Sequence, residues 1–318
     1  MTTTMIEGVP PDPMLERREL IQQVAHRTLK RRMFVSKAVV ASLGAALVAA
    51  LIPLFAILFS LVQKGIHWWS IDFFTKTPQF PSLIDPNAVG GIENALVGSL
   101  VIDGIAALFA VPIGVITGLF LAESDSRLAN ALRSTAEIMT GLPSILLGIF
   151  AYQMIVIGFH EWGIALPGIG FSGIAGSFAI GILMIPVIIK ASETALRSVP
   201  FTIREAGLAL GARKGVVARK VIIPTAMPGL ITAVLLALSR AVGETAPILW
   251  VIGASTVTTW DPTHEMASMP LQIFQSATSP YTSLREETWG IALTLVVVVL
   301  FINLGSRLLA GWLQRERR

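Results

Sequence analysis

The stretch LSRAVGETAPILW, Leu238 to Trp250, decides how the chain is read. It lies in an apolar run long enough to cross a membrane, yet it carries Arg240 and Glu244 four residues apart. A charge at the centre of a bilayer costs on the order of 3 kcal/mol or more. If the run is one helix starting near Leu230, Arg240 lies about 15 Å into it, too deep to snorkel. Glu244 then falls one turn further on the same face. The two charges are either an ion pair that lowers its own burial penalty or a charged site lining a water-filled path. Ionisable groups inside membranes are functional by default, which favours the second reading.

The surroundings support a membrane setting. Of the 318 residues, 53% are apolar and only 14% charged, against about 25% charge in an ordinary soluble domain. Six apolar stretches are long enough to span: Ala38–Val62, Ala95–Leu121, Ile138–Phe159, Phe171–Ile189, Leu230–Ile252 and Gly290–Leu309. The short alternating segments of a β-barrel are absent from the sequence. The fold class expected is therefore an all-α integral membrane protein with six transmembrane helices. No inverted repeat of the secondary-carrier kind is visible. The N-terminus lacks the shape of a cleaved signal, so the first span is expected to stay as an anchor.

The basic residues orient the spans. With a cytoplasmic N-terminus, residues 1–37, 122–137 and 190–229 and the tail from Arg307 carry twenty of the 24 Lys and Arg. The opposite side holds only Lys64, Lys76 and Arg285, a strong positive-inside bias that places both termini in the cytoplasm. The net charge of +4 thus reflects topology, and no nucleic acid is expected as a partner. The divisions expected are a cytoplasmic segment 1–37, a membrane domain 38–309 and a tail 310–318. Of the outer loops, the first carries His67-Trp68-Trp69 with Phe73, Phe74 and Phe80, read as interfacial anchors rather than a docking surface. The last, Gly253–Trp289, is polar and long enough to suggest a function of its own.

Several chemistries are excluded or disfavoured. There is no cysteine, and His26, His67, His160 and His264 are scattered, so no metal site is expected. No GxxxxGK[ST] phosphate loop occurs, so the chain is not expected to hydrolyse ATP and is not read as an enzyme. An arginine does suit an anion, above all phosphate, because its fork gives paired hydrogen bonds. Glu244 would hold Arg240 while no anion is bound. Asp103, midway along the second stretch, either pairs across helices or lines the same path.

Between the fourth and fifth stretches lies KASETALRSVPFTIREAGLALGARKGVVARKVIIPTAMPG, residues 190–229. Pro200 is expected to stop the preceding helix, and Thr202 with Glu205 to form a capping box. Gly211 is expected to end the short helix in a left-handed turn. A second short helix from Lys214 to Ile222 should end before Pro224, and Pro228-Gly229 should break the chain again. Small residues at Ala206 and Gly207 let another surface approach closely.

Here the chain resembles a family. Glu205-Ala206-Gly207, then Gly211 and Val221-Ile222-Ile223-Pro224, resembles the EAA loop (about residues 200–224) of bacterial ABC-importer permeases, with Gly207 where the family usually has Ala. SRAVGETAP (239–247), TGLPSILLGIF (140–150) and VGGIENALVGSL (89–100) are similar to signatures of the permeases of the phosphate (Pst) importer. The resemblance implies a type I (MetI-like) permease fold in the bacterial inner membrane. It implies Glu205, Ala206, Gly207, Gly211 and Pro224 as residues that couple to an ATPase, and Arg240 and Glu244 as part of the substrate path. It also implies a heterodimer with a second permease (PstC-like), two ATPase subunits (PstB-like) that use ATP and Mg, and an external phosphate-binding protein (PstS-like). No cofactor is expected on this chain itself. The rival expectations are a permease for another oxyanion or organic solute, a membrane scaffold for an ATPase-linked nutrient sensor, and a secondary carrier.

Overall fold

The structure is a computed structural model that describes residues 13–79, 85, 88–158 and 167–315. Phe80, Phe159, His160, residues 1–12 and the last three residues lie outside the described part. The chain forms two compact units, Met1–Ser60 and Leu61–Arg318. Among the described residues the secondary structure is helical, apart from one isolated bridge between Gly158 and Pro167. Five helices are long and apolar enough to cross a membrane, or six when one bent pair counts as a span.

The first unit consists of most of α1 (Pro13–Gly65), which runs without a break through the expected boundary at residue 37. In the second unit a 3-10 turn (Ile66–Trp68) leads to the short α2 (Ile71–Thr75). Trp68 packs into the cluster around Phe73, Ile92 and Ile291, so it is a packing residue before it is an anchor. Trp69 is partly exposed and meets Phe74 edge-on at 5.7 Å.

The centre of the second unit is the pair α3 (Glu93–Glu123) and α6 (Gly173–Arg197). In lipid, apolar surface gives helices little reason to associate, so close backbone approach through small residues takes over. A Cβ on Gly114 would lie 2.6 Å from Ile188, and one on Gly118 would lie 2.7 Å from Ser192. Ala106 and Ala110 of α3 and Ile180, Met184 and Ile188 of α6 are fully buried at this seam.

The third expected span is not one helix. It is α4 (Arg127–Gly141) followed by α5 (Ser144–Ala151), which continues as a wide π-type turn over Tyr152–Ile157. The two halves are bent by 103°. Pro143 is the cause, because it forces Leu142 into extended backbone (φ −70°, ψ 139°) and cannot itself donate into a helix. Gly148 of α5 then sits directly against the backbone of Pro247, where an added Cβ would be 2.5 Å from its carbonyl oxygen.

The fifth expected span is also displaced. After α7 (Phe201–Ala209), α8 (Lys214–Val217) passes through a π-type turn (Ala218–Ile222) straight into α9 (Ile223–Ala241). Neither Pro224 nor Pro228 breaks it. Pro224 stands where the π-type turn passes into α9, and Pro228 lies within α9, its carbonyl accepting from Thr232 Oγ1 at 2.8 Å. The helix stops at Ala241, eleven residues before the expected end at Ile252. Residues 242–252 form turns, with Ile248, Val251 and Ile252 buried against α3 and α6. Their backbone is satisfied by protein: Ser172 N–H donates to Val251 O (3.1 Å) and Met266 N–H to Ile252 O (3.1 Å). Irregular backbone survives beside a bilayer only under such cover.

The last outer loop is likewise structured. It contains α10 (Met269–Ala277), N-capped by Ser268, before α11 (Thr282–Arg315) begins. At its tip the Asp261 carboxylate accepts from Thr263 Oγ1 (2.7 Å) and Thr263 N–H (2.9 Å), which hold its pKa below the ordinary carboxylate value.

Candidate functional site

The stop of α9 at Ala241 changes the position of the charged pair. Arg240 occupies the last turn of the helix rather than the middle of a span, and Glu244 follows in a turn closed by Gly243 N–H to Arg240 O (3.2 Å) and Glu244 N–H to Ala241 O (3.0 Å). The expected pairing does form. Arg240 Nε donates to Glu244 Oε1 at 3.2 Å, with the side chains 50% and 20% exposed. That is the single hydrogen bond of its side chain to a described residue, so both terminal nitrogens of the fork remain for a ligand.

Arg240 lines one end of an open groove of about 780 Å³ between α6, α9 and the end of α4. On α9 the groove follows one face from Pro228 to Arg240, about 18 Å by helix rise. Its polar lining is Lys190, Arg240 and four hydroxyl residues, Thr140, Thr194, Ser198 and Thr232, with no carboxylate. Each of these hydroxyls already donates to a carbonyl in its own helix. Lys190 was the residue missed by sequence reasoning, which assigned it to a basic loop. It lies within α6, seven residues before the helix ends, and makes no ion pair among the described residues. The signal was present in the sequence: a lysine directly after an apolar run, reached by a helix longer than the run.

Asp103 does not join Arg240. It lines a small crevice with Glu244, Ser99 and Ser268, with room for about one water. Asp103 forms no ion pair among the described residues, and besides this crevice it lines an apolar cavity of about 510 Å³ between α3, the end of α9 and α11. Glu244 borders the crevice and Arg240 borders the groove, so the ion pair lies between the two spaces.

The residues expected to couple to an ATPase lie on and after α7. The expected capping box is absent: Pro200 is the N-cap, Thr202 lies inside the helix, and no side chain caps it. With Pro200 in extended backbone (ψ 139°) as N-cap, the helix starts at Phe201, one residue before Thr202. Arg204 instead ties α7 down, through an ion pair with Glu123 at the end of α3 and a 2.7 Å bond to Leu196 O of α6. Glu205 and Ala206 are exposed beside the bare apolar side chains of Phe201, Leu208 and Leu210. Gly211 adopts φ +78°, the left-handed turn expected of it. Gly207 has a structural reason, since a Cβ there would meet both Val217 methyl groups of α8 at 3.0 Å. Pro224 is part-buried in the first turn of α9.

The structure is thus a membrane bundle with an irregular, protein-covered segment (242–252) and an exposed short helix, α7, an architecture that suits a transport permease. Residues 110–318 match the family described as binding-protein-dependent transport system inner membrane component, and the chain belongs to that family. Within it, the chain is 37% identical over 272 residues to the phosphate transport system permease protein PstA of Haemophilus influenzae, covering 84% of this chain and 91% of that protein. It is 36% identical over 279 residues to PstA 1 of Mycobacterium tuberculosis (strain H37Rv), covering 85% and 86%. Among solved structures, a bacterial alginate ABC transporter in complex with an alginate-bound periplasmic protein superposes with a TM-score of 0.60 at 14% identity, over 91% of this chain and 96% of that one. An inward-facing MetNI methionine ABC transporter superposes at 0.52 and 20% identity, over 70% and 94%. These likenesses establish the MetI-like ABC-permease fold expected from the sequence.

Proposed function

We infer that this chain is a permease subunit of an ATP-driven importer that passes inorganic phosphate into the cell. The observation that carries the reading is the groove itself: two cations, Lys190 and Arg240, in a lining without acid, in a chain whose relatives are phosphate permeases. Phosphate would take the free fork of Arg240 and the Lys190 ammonium, while its O–H donates to groove hydroxyls that already spend their own hydrogens. Arg240 also faces the negative end of its own helix dipole, which weakens its hold on a dianion. Weak holding suits a conduit, which must release what it admits. Glu244 takes Arg240 back as the ion leaves.

The remaining parts follow from the family's organisation. A second permease completes the path, two ATPase subunits grip α7 and its counterpart, and an external binding protein delivers phosphate. Both termini lie in the cytoplasm. ATP and Mg belong to the ATPase, and this chain carries out no covalent chemistry. Closure of the ATPase pair would push α7, and Arg204 would pass that motion to α3 and to α6, one wall of the groove.

The test is reconstitution of the assembled complex with its binding protein in proteoliposomes. ATP-dependent phosphate uptake is expected, and sulfate should fail to compete. An assembled complex that hydrolyses ATP and moves no phosphate overturns the reading. Glu205→Lys should weaken ATPase binding or uncouple hydrolysis from uptake; unchanged coupling would remove Glu205 from the contact.

A further inference from the structure

The apolar run of α11 carries one amide, Asn303 in VVVVLFINLG, Val296 to Gly305. An amide in such a run is costly unless both of its ends find partners. Both do. Asn303 Nδ2 donates to Val299 O of its own helix at 3.0 Å. That turns Oδ1 toward α9, where it accepts from Ser239 Oγ at 2.9 Å. Ser239 directly precedes Arg240 in the last turn of α9. We infer that Asn303 is a positioning residue for phosphate passage: through Ser239 it holds the turn that carries Arg240, and so sets where the guanidinium stands in the groove. The inference rests on the role proposed above for Arg240.

Among the described residues this is the one side-chain hydrogen bond between α9 and α11. Apolar packing beside it is interrupted. Leu238 and Ile302, the residues directly before Ser239 and Asn303, both line the apolar cavity of about 510 Å³. On its other side α9 is seated by Ala237 and Ala241, buried in the core around α3 and α6. Successive residues on a helix point about 100° apart. Ser239 can therefore reach α11 while Arg240, one position on, lines the groove beside α6. A turn or slide of this end of α9 would carry the guanidinium with it. The tie is also releasable. Ser239 Oγ has one hydrogen and two acceptors in reach, Asn303 Oδ1 and Leu235 O of its own helix at 2.8 Å. It can leave α11 without being stranded when the bundle changes state.

The test is a double-mutant cycle on the assembled complex with its binding protein in proteoliposomes, read as initial phosphate uptake per complex beside the melting temperature. Asn303→Leu and Ser239→Ala are each expected to slow uptake about threefold to tenfold, the span of one interhelical hydrogen bond within a membrane. The melting temperature should hold, because leucine suits a lipid-facing run better than an amide. The double variant should be no slower than either single one, since both remove the same bond. Ser239→Thr, which keeps the hydroxyl, should retain normal uptake. Losses that multiply in the double variant would show two independent sites and overturn the inference. Normal uptake in both single variants, or a loss matched by a lower melting temperature, would leave Asn303 a purely structural amide and overturn it equally. Failure of the phosphate reading itself is told apart from these results, because the unsubstituted complex would then hydrolyse ATP and move no phosphate.

Discussion

Two Arg–Glu pairs in this protein look alike on paper and are built for opposite purposes. Arg133 of α4 reaches Glu193 of α6 with two nitrogens, at 3.1 and 2.9 Å, and uses its remaining donors on Asn130 Oδ1 (2.7 Å) and Leu121 O (3.3 Å). Its side chain is 28% exposed and that of Glu193 12%. Arg240 touches Glu244 with one nitrogen, is half exposed, and leaves its fork open to the groove. The first guanidinium is saturated by protein and locks three elements together. The second is held lightly by a neighbour in its own chain turn. Saturation marks a clamp, and an unspent fork marks a ligand site.

Mutation should separate the two roles. Arg240→Ala should have the largest effect, lowering initial phosphate uptake about 100-fold while the complex still assembles, because loss of one partner of a working charge contact is worth about 2–5 kcal/mol. Uptake at the normal rate would reduce the pair to mutual masking. Lys190→Gln should lower uptake roughly tenfold through loss of one charge-assisted contact of about 1.5–3 kcal/mol. No change there would shrink the ligand site to Arg240 alone. Arg133→Ala should do the reverse of Arg240→Ala. It should destabilise the complex by about 1–3 kcal/mol, read as a lower melting temperature, with uptake per assembled complex within about twofold of normal. A selective loss of uptake would erase the distinction between clamp and site. Gly207→Ala should have the smallest effect, about 1 kcal/mol of strain where α7 meets Val217, read as a slightly weakened ATPase association.

Much of this was legible in the sequence, for identifiable reasons. Composition and apolar run length fixed the class, and Gly211 announced its left-handed turn because few other residues occupy one without strain. The Arg240–Glu244 contact followed from spacing alone. What failed were the helix ends. An apolar run is a measure of solvent, and it does not distinguish a helix in lipid from irregular chain covered by other helices. Residues 242–252 are as apolar as a span because Val251 and Ile252 are core, yet they are turns. That error placed Arg240 at mid-span and hid the groove. Lys190 was missed for the complementary reason, since α6 outlasts its apolar stretch. The positions of prolines also misled. Pro143 bends the chain through 103°, whereas Pro228 sits inside a continuous helix, and nothing local to either residue tells them apart.

The contact between Gly148 and Pro247 has a consequence for inheritance and engineering. The stretches TGLPSILLGIF and SRAVGETAP stand about a hundred positions apart, yet the backbone of one leaves no room for even a methyl group on the other. They behave as two halves of one part. A chimaera that takes either stretch from a distant relative without its mate should misassemble, and a substitution at 148 should be tolerated only together with a change in the turn that carries 247.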